Sequence, residues 1–122
     1  MKQDFMNKLE LSGIETKQTI ERFSGNADLY EQFLLRFPAD DTFGKIGPAF
    51  DKGDMDEALA AAHTLKGVSA NLGMTRLYKA CSDTVSLIRA KDPEKAKQSY
   101  AEIKKAYDEV CALINEVGKK EK

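Results

Sequence analysis

The chain contains one histidine, so any imidazole chemistry rests on His63. Around it the apolar residues recur at helical spacing, and a helix turns by about 100° per residue. Measured from His63, Ala61, Leu65, Val68 and Leu72 fall at about 160°, 200°, 140° and 180°, forming a stripe on the opposite side. His63 therefore points away from the expected core. Asp56, Leu59, Lys66, Gly67 and Ala70 lie within about 60° of it, on the same face. An imidazole is partly unprotonated at neutral pH and can attack an activated phosphoryl group without a separate base. Lys66, three residues on, can bring an ammonium beside the ring, and lysine suits a phosphoryl group as a point-charge counterion. Gly67 stands mid-helix, where glycine costs about 1 kcal/mol relative to alanine, so a packing or access reason is expected. Without a side chain one turn beyond His63, a bulky partner has room to approach. Leu59 with the small Ala60 and Ala70, and Asp56 beside them, give that outer face a candidate docking patch. Geometry alone leaves open an ordinary exposed histidine and a solvated helix lysine.

The remaining sequence narrows the chemistry. There is no Gly-rich phosphate loop with Lys-Ser/Thr, no kinase signature and no acidic cluster arranged for Mg²⁺. The chain could accept and hold a phosphoryl group, but nothing in it would take one from ATP. Cys81 and Cys111 stand thirty residues apart without CxxC spacing and read as reduced core thiols. One histidine and two distant cysteines do not supply four zinc ligands, so neither a metal nor a cofactor is expected. Nineteen Lys and Arg against twenty Asp and Glu, with no basic stripe, argue against a nucleic-acid partner. No apolar run approaches the roughly 18 residues of a membrane span, and Met1-Lys2-Gln3-Asp4-Phe5 lacks an apolar leader. A cytoplasmic protein without membrane insertion is expected.

The elements that must position His63 are helical nearly throughout. A short first helix is expected over residues 15 to 23, closed by Gly25. Asn26 then caps a second, with Leu29, Tyr30, Phe33, Leu34 and Phe37 as its apolar face. Pro38 should stop or kink it, and Thr42 to Asp51 should resume it. Asp54-x-x-Glu57 resembles a capping box opening the histidine helix, which should run to Leu72 with Gly73 free to turn left-handed. A fourth helix follows from Thr75 to Ala90, with Leu77, Cys81, Val85 and Ile88 or Thr84 inward. Asp92-Pro93-Glu94 restarts the last helix, striped by Ala96, Tyr100, Ile103, Tyr107, Val110, Ile114 and Val117. Short connections between long amphipathic helices predict antiparallel neighbours. The expected fold is all-α, an up-down antiparallel four-helix bundle with a short extra N-terminal helix. It forms one domain over 1–122, with flexible segments at 1–11 and 118–122.

Residues His63-Thr64-Leu65-Lys66-Gly67-Val68-Ser69-Ala70-Asn71-Leu72-Gly73 resemble the signature H-x-L-K-G-x-S-x-x-L-G of histidine-containing phosphotransfer (HPt) domains, at seven fixed positions in eleven. Gly53-Asp54 resembles the family's start of that helix, and Phe23-Ser24-Gly25-Asn26-Ala27-Asp28-Leu29-Tyr30 through Phe37 its opening helices. The resemblance implies a monomeric bundle whose exposed histidine takes phosphate from a receiver-domain aspartate and passes it to another receiver. It implies His63 as phosphoacceptor, Lys66 as charge partner and Gly67 as the access position. The partners would be receiver domains of response regulators or hybrid histidine kinases, which supply the Mg²⁺. Ser69 matches the motif but lies off the His63 face, where a packing or hydrogen-bonding role fits. The following helix, through Cys81-Ser82-Asp83-Thr84-Val85-Ser86, has no clear equivalent of the acidic residue or glutamine many members carry, so the second hydrogen-bond partner of His63 is unassigned. Two other readings stand beside the carrier: a receiver-binding bundle without phosphotransfer, and the phosphoacceptor fragment of a hybrid histidine kinase. A kinase dimerisation region would predict a long two-helix hairpin rather than several capped helices.

Overall fold

The computed structural model describes the backbone of residues 1–120 and side chains through Glu116. Seven α-helices and one 3₁₀ turn follow in order: α1 Gln3–Leu11, α2 Thr16–Arg22, α3 Ala27–Arg36, the turn Phe37–Ala39, α4 Phe43–Lys52, α5 Met55–Asn71, α6 Thr75–Arg89 and α7 Pro93–Lys120. The protein is all-α, and no strand occurs among the described residues. Val117 of the apolar stripe, and the flexible segment expected at 118–122, lie outside the residues whose side chains are described.

Local chemistry explains most boundaries. Asn26 caps α3, its side chain accepting from Leu29 N at 3.0 Å. Asp54 caps α5 by accepting from Glu57 N at 3.0 Å. Only half of the capping box forms there, because Asp54 N already donates to Ala49 O. Asp92 accepts from Lys95 N at 3.2 Å, with Pro93 at the first helical position of α7. Pro38 falls in the 3₁₀ turn, where its missing N–H and its ring end α3. The chain resumes as α4, which runs through Pro48.

The broken unit α3–turn–α4 lies along α7, while α5 packs between α4 and α6, and α6 between α5 and α7. Turns of a few residues link α5 to α6 and α6 to α7, which makes each pair antiparallel. Between them lies a core that includes Tyr30, Leu34, Ile46, Ala58, Leu65, Leu77, Cys81, Val85, Ile103 and Ile114. Both residues offered as alternatives on α6, Thr84 and Ile88, are buried. Thr84 resolves its polarity by sharing a hydrogen bond with Ser99 Oγ at 2.6 Å.

Two expectations are corrected. The segment 1–11 is not a loose lead but carries helix α1, with Phe5 and Leu9 buried at the four-residue spacing that makes one helical stripe. On α3, the buried residues are Tyr30 and Leu34, continued by Phe37, whereas Leu29 is 38% and Phe33 44% exposed. Five apolar residues span a wider arc than the core can cover. The 30/34/37 line faces inward, and Phe33 is left on the flank toward α2 and α5.

Candidate functional site

Helix α5 is 17 residues long, about 26 Å at 1.5 Å per residue, and His63 stands near its middle. His63 is exposed, and its imidazole has no hydrogen-bond or ion-pair partner among the described residues. The buried residues of α5 are Ala58, Ala61, Ala62, Leu65 and Ser69, followed by Leu72. On the helical wheel these centre near 210° from His63, about 40° round from the expected stripe of Ala61, Leu65, Val68 and Leu72. Val68 consequently sits at the edge, half-buried. Small Ala58, Ala62 and Ser69 draw the interface toward their side because helices approach closest where side chains are short. The histidine still faces outward.

The structure brings the expected face together with unequal exposure. Asp56, Ala60, His63 and Gly67 are exposed, whereas Leu59, Lys66 and Ala70 are half-buried. Leu59 packs partly against the core, so only part of it remains for a docking patch. A Cβ built on Gly67 would meet nothing within 4 Å, so no contact within the molecule requires glycine there. Ser69 lies off this face and is buried, its hydroxyl donating to Lys66 O at 2.9 Å. Lys66 has no carboxylate partner among the described residues; its Nζ sits over the Tyr78 ring of α6, 5.7 Å from the centroid.

The C-terminal end of α5 is held by main-chain acceptors. Arg22 Nη2 donates to Ala70 O at 3.0 Å, and the buried Tyr30 hydroxyl donates to Leu72 O at 2.8 Å. Glu15 N donates to Gly73 O at 2.9 Å, within a backbone bridge between Ile14 and Met74. Gly73 takes φ +73°, and Met74 N and Gly73 N return to Ser69 O and Ala70 O, closing the helix as the left-handed turn predicts.

Sequence reasoning did not find the groove beside this helix. A cavity of about 540 Å³ opens between α2, α3 and α5, lined by Phe23, Phe33, Val68 and Leu72 together with exposed Arg22 and Arg36. Arg36 has no partner among the described residues. The groove is an assembly of three helices, so only the surplus of apolar residues on α3 hinted at it. Tyr78 was missed for a similar reason: one aromatic on an exposed helix face carries no signal until Lys66 is placed against it. Among the described residues no group of His, Cys, Asp and Glu could hold a metal ion, and no helix is long and apolar enough to cross a membrane.

A protein-family model described as "Hpt domain" matches residues 28–113, which include all of α5 and α6 and most of α3 and α7. No curated protein and no solved structure matches the chain.

Proposed function

Since the chain belongs to the Hpt domain family, whose role is histidine phosphotransfer in phosphorelays, we propose that His63 carries the phosphoryl group between receiver domains. One unprotonated ring nitrogen attacks the phosphorus of a receiver's aspartyl phosphate. As the N–P bond forms, the O–P bond breaks and the aspartate carboxylate leaves with the electron pair. The reverse step loads the next receiver. The observation that carries this reading is an exposed imidazole mid-helix, unpartnered among the described residues, with open space over Gly67 and the cation of Lys66 one turn away.

The protein acts stoichiometrically and has no ATP-dependent kinase activity of its own. The acyl phosphate and the Mg²⁺ that goes with it belong to the receiver, so this chain contributes the nucleophile, a counter-charge and a surface. A docked protein of ordinary interface size covers about 800 Å² on each partner. Centred on His63, that footprint takes in Asp56, Leu59, Ala60 and Ala70. The carrier works as a monomer, in the cytoplasm where receivers operate.

The test is phosphoryl transfer from a panel of phosphorylated receivers to wild type and to His63→Gln. Wild type should gain an acid-labile, base-stable adduct, and His63→Gln should gain none while keeping its helical circular dichroism and melting temperature. Silence of folded wild type across a broad panel would leave a receiver-binding bundle without phosphotransfer as the better account.

A further inference from the structure

We propose that Tyr78 is a positioning residue for the phosphoryl counter-charge: its ring holds the Lys66 ammonium beside the His63 face without neutralising it. This deepens, and rests on, the carrier reading above.

A lysine side chain has many rotamers, and ordering it opposes the use of its charge at one place. Two kinds of group could order it. A carboxylate would hold the ammonium firmly but cancel its field, leaving little for an incoming phosphoryl group. An aromatic face attracts the cation through the ring quadrupole and adds no opposite net charge. At Lys66 the structure has the second arrangement: Nζ lies 5.7 Å from the Tyr78 ring centroid, and no Asp or Glu among the described residues pairs with it. Three further observations fit. Lys66 is half-buried, which favours confinement of its stem along the α5–α6 seam. Tyr78 is 39% exposed and its hydroxyl has no hydrogen-bond partner among the described residues, so neither core packing nor a polar contact explains its type. The Cys81 thiol, which feels the charge of Lys66, offers no anion: burial pushes it up to about 12, against the pull of Lys66, so it stays neutral at physiological pH.

The ranking of strengths makes the arrangement reversible. A cation–π contact at a half-exposed site is weaker than a charge-assisted hydrogen bond to phosphate. When His63 is loaded, the ammonium can leave the ring for the phosphoryl oxygens, and it returns when the group moves on. The ring thus keeps the charge close and available at both stages.

The experiment compares Tyr78→Phe and Tyr78→Leu in the full chain, alone and with Lys66→Ala. In the unloaded protein, proton NMR of the Lys66 ε-methylene reads the pairing directly. Its resonance should be shifted upfield in wild type and Tyr78→Phe and relaxed in Tyr78→Leu. In transfer assays Tyr78→Phe should behave as wild type, whereas Tyr78→Leu should shorten the phosphohistidine lifetime or slow transfer by about two- to fivefold. In the Lys66→Ala background Tyr78→Leu should add nothing further. An equal effect of Tyr78→Leu with and without Lys66 would make Tyr78 a partner contact instead and overturn the proposal. So would an unshifted Lys66 resonance in wild type. Failure of wild type to accept phosphate would count against the carrier reading, and the NMR arm still reports on the pairing.

Discussion

Gly67 illustrates how a single position can be read from what is missing around it. A helical glycine gives up stability relative to almost any residue that carries a Cβ. Nothing in the fold requires it, since a Cβ there would touch no other part of the molecule. The remaining use for the empty volume is outside the molecule, one turn from His63. Gly67→Gln is therefore expected to raise stability by about 0.5–1 kcal/mol. It should also slow phosphoryl transfer by roughly tenfold or more through blocked approach. A thermal melt and a receiver transfer assay on the same preparation check both halves. Transfer at the wild-type rate would remove the access role. His63, Lys66 and Gly67 were legible in the sequence because all three sit on one helix, where angle follows from spacing. Tyr78 and Arg22 were not, because they come from other helices and no local rule connects them to α5.

At the scale of elements, the turn that ends α5 is the most constrained joint near the site. Gly73 has φ +73°, and a Cβ there would run into the Thr19 hydroxyl and come within 2.9 Å of Glu15 O. Gly73→Ala should destabilise by at least the roughly 1–2 kcal/mol of the left-handed backbone, with the clash added. A urea titration at constant m-value measures this, and a loss under 0.5 kcal/mol would mean that the turn relaxes easily. The left-handed turn itself was predictable, because Gly73 follows the last apolar residue of the stripe. Its second constraint was hidden, since it comes from residues more than fifty positions earlier. The same division runs through the other elements. Caps at Asn26, Asp54 and Asp92 are local and were read directly. The core-facing side of α3 is not local: Leu29 and Phe33 are as apolar as Tyr30 and Leu34, and only packing against α2, α5 and α7 decides which pair goes inside. Helix α1 escaped because only Phe5 and Leu9 of its apolar residues share the buried stripe, Met6 and Leu11 lying off it, and that stripe matters only once a partner surface exists.

The whole molecule carries buried acids that titrate only at high pH. Burial raises the Cys81 thiol from its ordinary 9 to about 12, and desolvation likewise raises the buried Tyr30 hydroxyl, which donates to Leu72 O. Above pH 9 an unfolded chain gives up the cysteine proton while the folded chain keeps it. Stability must therefore fall as pH rises from about 9, by up to about 1.4 kcal/mol per pH unit for each such group. Urea midpoints should be level from pH 7 to 8.5 and decline toward pH 10, and Cys81→Ala should lessen the earliest part of the decline, the rest coming from Cys111, whose thiol burial also raises. A flat profile in wild type would contradict the burial of both groups. The fold class was legible at this scale because helical period, caps and short turns all pointed one way. The groove was not, as it exists only between assembled helices. The fastening of the α5 end has a consequence for how such a protein can diversify. Arg22, Tyr30 and Glu15 grip the carbonyls of Ala70, Leu72 and Gly73, which are main-chain atoms that every residue type offers. None of the outward side chains at Asp56, Ala60 or His63 takes part in that grip, and Gly67 has none to offer. The face proposed for recognition could be rewritten letter by letter to suit new partners, while the helix that presents the histidine stays moored where it is.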